Sequence, residues 1–149
     1  MTYLLDTNVV AEVTKADPDA DARVLAWWDG MNEGEQHDWM VPVPVIAEMA
    51  EGVWSVPAGA RRVKLRADFD RYCHLHSEFF AAWDTETART WGELQHSAAV
   101  KRQPQALWDS LIDAMAVRHG FTVATRNTKD FRHAETFNPW NFAPKEKQK

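Results

Sequence analysis

The chain has one cysteine, Cys73, among its 149 residues. It can form no internal disulfide, and a reducing cytoplasm is the expected compartment. It has no apolar run as long as a membrane-crossing helix, so no membrane association is expected. Met1 leads directly into a short apolar segment without a signal-peptide pattern, so no leader is expected either. There is no Gly-rich phosphate loop and no Gly-x-Ser-x-Gly elbow, which removes the commonest nucleotide-binding and serine-hydrolase readings. His74 and His76 have no partners at zinc-ligand spacing. Positive charge is also scarce: 17 Lys and Arg against 22 Asp and Glu leave a net charge of −5. Because polyanion binding depends on Lys and Arg neutralising phosphates, any nucleic-acid partner must be met by a local basic patch.

What is present describes one soluble domain. The length suffices for a sizeable core without staples. Hydrophobic residues make up 45% and charged residues 26%, an ordinary globular balance. Eight tryptophans are many for this length, and their scatter reads mainly as core or interface mass. The run Tyr3-Leu4-Leu5 predicts a buried strand that ends on Asp6, with Asp6, Thr7 or Asn8 capping a helix from 8 to 15. Asp17 to Asp21 predicts a turn and an acid-rich helix start, followed by a helix with Leu25, Trp28 and Val24 as its apolar stripe. Trp39 to Val41 predicts a second strand closed by Pro42, and Pro44 opens a helix carrying Val45, Ile46, Glu48, Met49 and Val53. A basic helix is expected over 60–74, a third strand over 79–83 ending on Asp84, and a helix over 85–99. A loop over 100–105 then precedes the strongest helix, 106–119, stopped by Gly120. The fourth strand is 121–125, and Asn138 to Asn141 would add a short edge strand. Strands alternating with helices over short connections indicate an α/β domain with a parallel sheet of four to five short strands flanked by helices. Residues 1–143 form that domain, and the lysine-rich tail 144–149 is expected to be disordered.

Four acids stand where solubility does not explain them. Asp6 ends the first strand, Glu48 lies on the apolar face of its helix, Asp109 lies in the first turn of the late helix, and Asp130 follows the fourth strand beside Asn127. In a doubly wound sheet these positions face one edge, so the four can meet. Each also has a plain explanation: Asp6 as a helix cap, Glu48 as a partly exposed helix acid, Asp109 as an acid serving the helix dipole, Asp130 as a turn residue. Asp113, four residues after Asp109, either extends the cluster or is solvated. Grouped carboxylates repel one another, and burying them unpaired is costly. A divalent cation resolves both difficulties, and an all-oxygen set selects Mg²⁺ or Mn²⁺ over zinc. The chemistry implied is metal-assisted phosphodiester hydrolysis.

At these same residues the chain resembles a known family. Leu4-Leu5-Asp6-Thr7-Asn8-Val9, Val45 to Gly52 around Glu48, Asp109-Ser110-Leu111-Ile112-Asp113-Ala114-Met115-Ala116 and Thr125-Arg126-Asn127-Thr128-Lys129-Asp130-Phe131 resemble the PIN-domain family, in particular the VapC-type toxins of bacterial type II toxin–antitoxin systems. Four motifs in order at the right separations make the likeness specific, and it covers nearly the full length. It implies a Mg²⁺-dependent endoribonuclease, with Mn²⁺ able to substitute, acting on transfer or ribosomal RNA. It also implies a homodimer and a neutralising antitoxin. By resemblance Asp6 and Asp109 match the metal-binding aspartates, Glu48 the helix glutamate that helps hold metal or its water, and Asp130 a further acid. The chain departs from the family at Asn127, where some relatives carry an acid, and at Asp113, where relatives usually have a small residue. Thr7, Asn8 and Thr125 would support the site by hydrogen bonds. Arg126 and Lys129 flank the Asp130 loop and would contact phosphate. Arg61, Arg62, Lys64, Arg66 and Arg71 form either a solvated helix face or an RNA or antitoxin surface, and Trp54 and Trp108 are core residues or stacking platforms. The alternatives to a toxin are an RNA-processing or structure-specific DNA nuclease, and a non-catalytic binding protein retaining the acidic cleft.

Overall fold

The computed structural model describes residues 1–15 and 19–144. Five short strands, β1 (Tyr3–Leu5), β2 (Trp39–Pro42), β3 (Phe80–Ala81), β4 (Thr122–Ala124) and β5 (Thr136–Phe137), form one sheet. The spatial order is β3-β2-β1-β4-β5, and every pair is parallel. Seven α-helices flank it among the described residues: α1 (Thr7–Val13), α2 (Ala22–Met31), α3 (Val43–Ser55), α4 (Ala60–His76), α5 (Thr85–Gln95), α6 (Ala98–Arg102) and α7 (Leu107–His119). No described helix is long and apolar enough to cross a membrane.

β1 is the centre of the sheet, with Leu4 opposite Met40 of β2 and Val123 of β4. Successive strand residues point to opposite faces, so a strand covered on both sides is apolar throughout. Leu4, Leu5, Val123 and Ala124 are accordingly all buried. The strand order reverses about β1: the chain steps outward through β2 and β3, then returns to the other side with β4 and β5. A crevice opens at such a switch point, outside the carboxyl ends of β1 and β4. The amide of Asp6 donates to the Ala124 carbonyl at 3.0 Å and joins those two strand ends. α7 ends at Gly120, whose φ of 69° is the left-handed conformation favoured for glycine at a helix end. β4 follows at once, so α7 runs back alongside the sheet and its first turn, carrying Asp109, returns to the crevice edge.

Several expectations are corrected. The edge strand is Thr136–Phe137, while Pro139–Asn141 turns as a 3₁₀ helix, because Pro139 has no N–H to donate and the Asn138 side chain caps the Trp140 amide at 3.0 Å. The loop expected over 100–105 begins as helix: Ser97 accepts from the Val100 amide and nucleates α6, so the preceding helix ends at Gln95. β3 is shorter than 79–83 because Phe79 belongs to a 3₁₀ turn. The buried stripe of α2 is Val24 and Trp27, while Leu25 and Trp28 are half-buried. Trp27, Trp39 and Trp140 do supply core mass, and Trp27 stacks among Tyr3 and Phe137 at centroid distances of 5.3 and 5.7 Å. The expected turn around Asp17 and Pro18 and the expected disorder of the tail from Lys145 lie outside the described residues.

Candidate active site

A pocket of about 340 Å³ opens at the switch point, lined by Asp6, Thr7, Asn8, Ala11, Glu48, Asp109, Asn127 and Asp130. The structure thus brings together the four acids singled out in the sequence, each from a different element. Asp6 ends β1 and caps α1 through its carboxylate, which accepts from the Thr7 amide at 2.8 Å. Glu48 comes from α3, Asp109 from the first turn of α7, and Asp130 from the turn after β4. The pocket lining contains no lysine or arginine.

Hydroxyl and amide side chains fix these carboxylates. Thr125, fully buried after β4, donates its hydroxyl to Asp6 Oδ2 at 2.7 Å. It also accepts from the Asn127 amide at 3.0 Å, so one hydroxyl ties the β1 acid to the β4 loop. Asn8 Nδ2 lies 3.4 Å from both Asp6 Oδ2 and Thr125 Oγ1, and Asn8 Oδ1 accepts from the Arg126 amide at 3.1 Å. Thr7 donates its hydroxyl to Glu48. Asp6 and Glu48 therefore have set orientations, while the carboxylates of Asp109 and Asp130 share the same space.

That crowding changes proton affinity. The Asp6 carboxyl is held above its usual range, first by burial and secondarily by the neighbouring charges of Glu48 and Asp130, against the lowering effect of its bonds to Thr125 and Thr7. Asp109 is pushed up to about 6, by burial first and then by Asp6, Asp130 and Glu48, with Arg132 giving the smallest, opposing contribution. An all-oxygen set under mutual repulsion fits a hard divalent cation. Among the described residues no three Asp, Glu, His or Cys side chains are drawn together tightly enough to hold an ion unaided. Mg²⁺ does not require such a cage, since it keeps several waters and binds through one or two carboxylates together with substrate phosphate oxygens.

Asp113 is not part of this pocket, which corrects the idea that it supplements the acidic cluster. Its carboxylate is turned into the protein, 1% exposed. It accepts from the amides of Arg132, His133 and Ala134 at 3.2, 3.2 and 2.7 Å and from Gln105 Nε2 at 3.1 Å. It acts as the anchor of the loop that follows Asp130. Gln105 and Arg132 complete that clasp and carry no signal in the sequence, because apart from the Gln105 bond to Asp113 their partners are backbone carbonyls: Gln105 reaches Asp130 O at 3.0 Å, and Arg132 reaches Gln103 O at 2.8 Å and the Lys129 carbonyl. Arg126 and Lys129 are exposed and lie outside the pocket lining; the Arg126 guanidinium sits 5.1 Å from the Trp140 ring centroid.

Two outcomes follow for stability. Asp113→Ala leaves three half-buried amides without their acceptor and should destabilise the fold by about 3 kcal/mol in urea unfolding; a loss below about 0.5 kcal/mol would show that the loop is held otherwise. Folding raises the Asp109 pKa from 3.8 to about 6, so the fold binds that proton more tightly than the unfolded chain does. The charged form therefore costs stability above about pH 6, and the cost fades as pH falls towards 4. A two-unit shift corresponds to roughly 3 kcal/mol, and solvent screening at this half-exposed site reduces it to about 1 kcal/mol. In chelator, Asp109→Asn should be more stable than the wild type by that amount near pH 8 and equal to it near pH 4. A difference independent of pH would contradict the raised proton affinity of Asp109.

The comparisons with known proteins agree with this geometry. The PIN domain model matches residues 3–136. The protein named VapC ribonuclease Y4jK, from Sinorhizobium fredii, is 33% identical over 146 residues, covering 92% of this chain and 96% of its own length. Toxin FitB from Neisseria gonorrhoeae is 30% identical over 141 residues, covering 93% and 98%. The crystal structure of FitAcB from the same organism superposes with a TM-score of 0.75 at 27% identity, covering 95% of this chain and 100% of that one. With four acids at the switch point of a parallel sheet and family similarity along almost its whole length, this chain belongs to the PIN-domain family, alongside VapC and FitB.

Proposed function

We propose that this PIN domain is the nuclease toxin of a type II toxin–antitoxin pair, and that it hydrolyses phosphodiester bonds in RNA with Mg²⁺, for which Mn²⁺ can substitute. The observation that carries the reading is the convergence of Asp6, Glu48, Asp109 and Asp130 on one pocket without a basic side chain in its lining. The relatives support the setting: one is named a ribonuclease and another a toxin, and the similar crystal structure contains FitB in a complex with a second protein. The partners proposed are an RNA substrate, a cognate antitoxin and a second copy of the chain, in the cytoplasm.

One or two carboxylates from among Asp6, Glu48 and Asp109 would hold the ion together with waters and substrate oxygens, and Asp130 lines the same pocket. When bound, the ion supplies Lewis acidity, which activates water and offsets the charge developing on phosphorus. The chain's own contribution is placement. Thr125 and Thr7 set the orientations of Asp6 and Glu48 before substrate arrives. Asn127 adds a neutral amide to the lining, able to bond water or phosphate without adding to the repulsion. The Asp113 clasp keeps the Asp130 loop in register with α7. Pre-positioned charge of this kind needs no reorganisation during the reaction.

Purified protein with Mg²⁺ should cleave RNA, and chelator should abolish cleavage. Asp6→Asn and Asp109→Asn should each lower the rate by at least about a hundredfold while circular dichroism stays unchanged. Equal cleavage by the substituted proteins would assign the activity to a contaminant. Cleavage of DNA in preference to RNA would move the substrate class, and metal binding without turnover would leave only a binding role.

A further inference from the structure

One aromatic residue stands apart from the buried tryptophans. Trp54, near the end of α3, is 58% exposed. The Arg62 and Arg66 guanidiniums of α4 lie 5.1 and 5.5 Å from its ring centroid. These arginines belong to a segment, 60–67, with four cations (Arg61, Arg62, Lys64 and Arg66) and no acid, in a chain of net charge −5. The segment is the start of a helix, where the backbone dipole disfavours positive charge, and its first turn holds no acidic residue. Helix stability therefore does not account for this placement. Nor does core packing, since α4 has no fully buried residue; of the four cations Arg62 alone is half-buried, and it donates to the Val56 carbonyl at 3.4 Å, a long bond that a phosphate could replace. The ion pairs Lys64–Asp68 and Arg66–Asp70, at 3.7 and 3.8 Å, are exposed and long, and none of the ion pairs among the described residues involves Arg62.

We propose that Trp54, Arg62 and Arg66 form a subsite for an unpaired nucleotide of the RNA substrate, with the base stacked on the indole and its phosphate met by the two guanidiniums. The inference rests on the ribonuclease reading given above. Bases present a π face to an aromatic ring irrespective of sequence, and arginine fits phosphate with two parallel donors. The positive patch complements a polyanion, and the exposed indole favours a single strand, whose bases are free to stack. α3 carries both Glu48 and Trp54, six residues apart, or about 9 Å along the helix axis. The indole is also turned by about 120° around the axis from Glu48, so a strand leaving the acidic pocket would wind partly around α3 to reach it. The acidic pocket repels phosphate until a cation is bound, so a basic hold on the neighbouring chain supplies attraction that the site itself lacks.

The test uses the full-length protein and a fluorescein-labelled single-stranded RNA oligonucleotide of mixed sequence, with chelator present to prevent cleavage. Fluorescence anisotropy should show Trp54→Ala binding about tenfold more weakly and Trp54→Phe within about threefold of the wild type. Joint Arg62→Ala and Arg66→Ala substitution should reduce the slope of log affinity against log salt by about 1.4, the share of two single-strand phosphates. Wild-type affinity in Trp54→Ala would overturn the subsite. If that variant instead changes the oligomeric mass in light scattering while binding RNA normally, the face belongs to a second copy of the chain, which also overturns it. A wild type that cleaves RNA while Trp54→Ala binds unchanged removes the subsite alone. A wild type that neither binds nor cleaves RNA removes the ribonuclease reading and the subsite with it.

Discussion

The burial of carboxylates together in one pocket, with their mutual repulsion added to it, is the constraint on which the rest of the site depends. Asp6, Glu48, Asp109 and Asp130 share one pocket, and the proton affinities of Asp6 and Asp109 rise under burial and neighbouring charge. A fold that only needed helix caps would not retain this arrangement, because the same carboxylates in solvent would cost nothing. The surrounding structure spends its hydrogen bonds on keeping the charges near one another. The Thr125 hydroxyl holds Asp6 across the β1–β4 junction, and the Asp6 amide on Ala124 fastens the same junction through the backbone.

The topology explains why the charges meet there. With the strand order reversing about β1, the ends of β1 and β4 diverge into loops on opposite sides and leave a crevice between them. α3 leaves the sheet at the same edge after β2, and α7 returns to it, so residues more than a hundred positions apart become neighbours. Behind the crevice, the apolar pairs Leu4 with Val123 and Leu5 with Ala124 keep β1 and β4 in register. The chemistry of the edge is set by what the core holds still.

Much of this is legible in the sequence, and the reasons can be named. Asp6 was visible because a fully apolar strand stops on a charge, and Asp109 because an acid sits in the first turn of a strongly periodic helix with a clear glycine stop. The parallel sheet followed from the alternation of strands and helices. Asp113 neither extends the cluster nor is solvated. The sequence hides this because spacing of one helical turn shows which side chains can be neighbours and not which way a loop will fold over them; its partners include the backbone amides of 132–134, which leave no trace in residue type. The clasp made by Gln105 and Arg132 was hidden for the same reason. The edge strand moved to Thr136–Phe137 because the capping bond of Asn138 and the missing donor of Pro139 decide that segment locally. For Trp54, as for Trp108, the sequence leaves core packing and base stacking open, and its exposure and two arginine neighbours separate it from the core.

The role proposed for the acidic pocket is that of a cation site whose charges oppose the fold until they are neutralised. The direct measurement is thermal unfolding near pH 7.5 with and without Mg²⁺, on the wild type and on Asp6→Asn. The wild type should gain about 8 °C at a hundredfold excess over Kd, and Asp6→Asn should gain little. Equal melting temperatures with and without Mg²⁺ in the wild type, or an equal gain in both proteins, would contradict it.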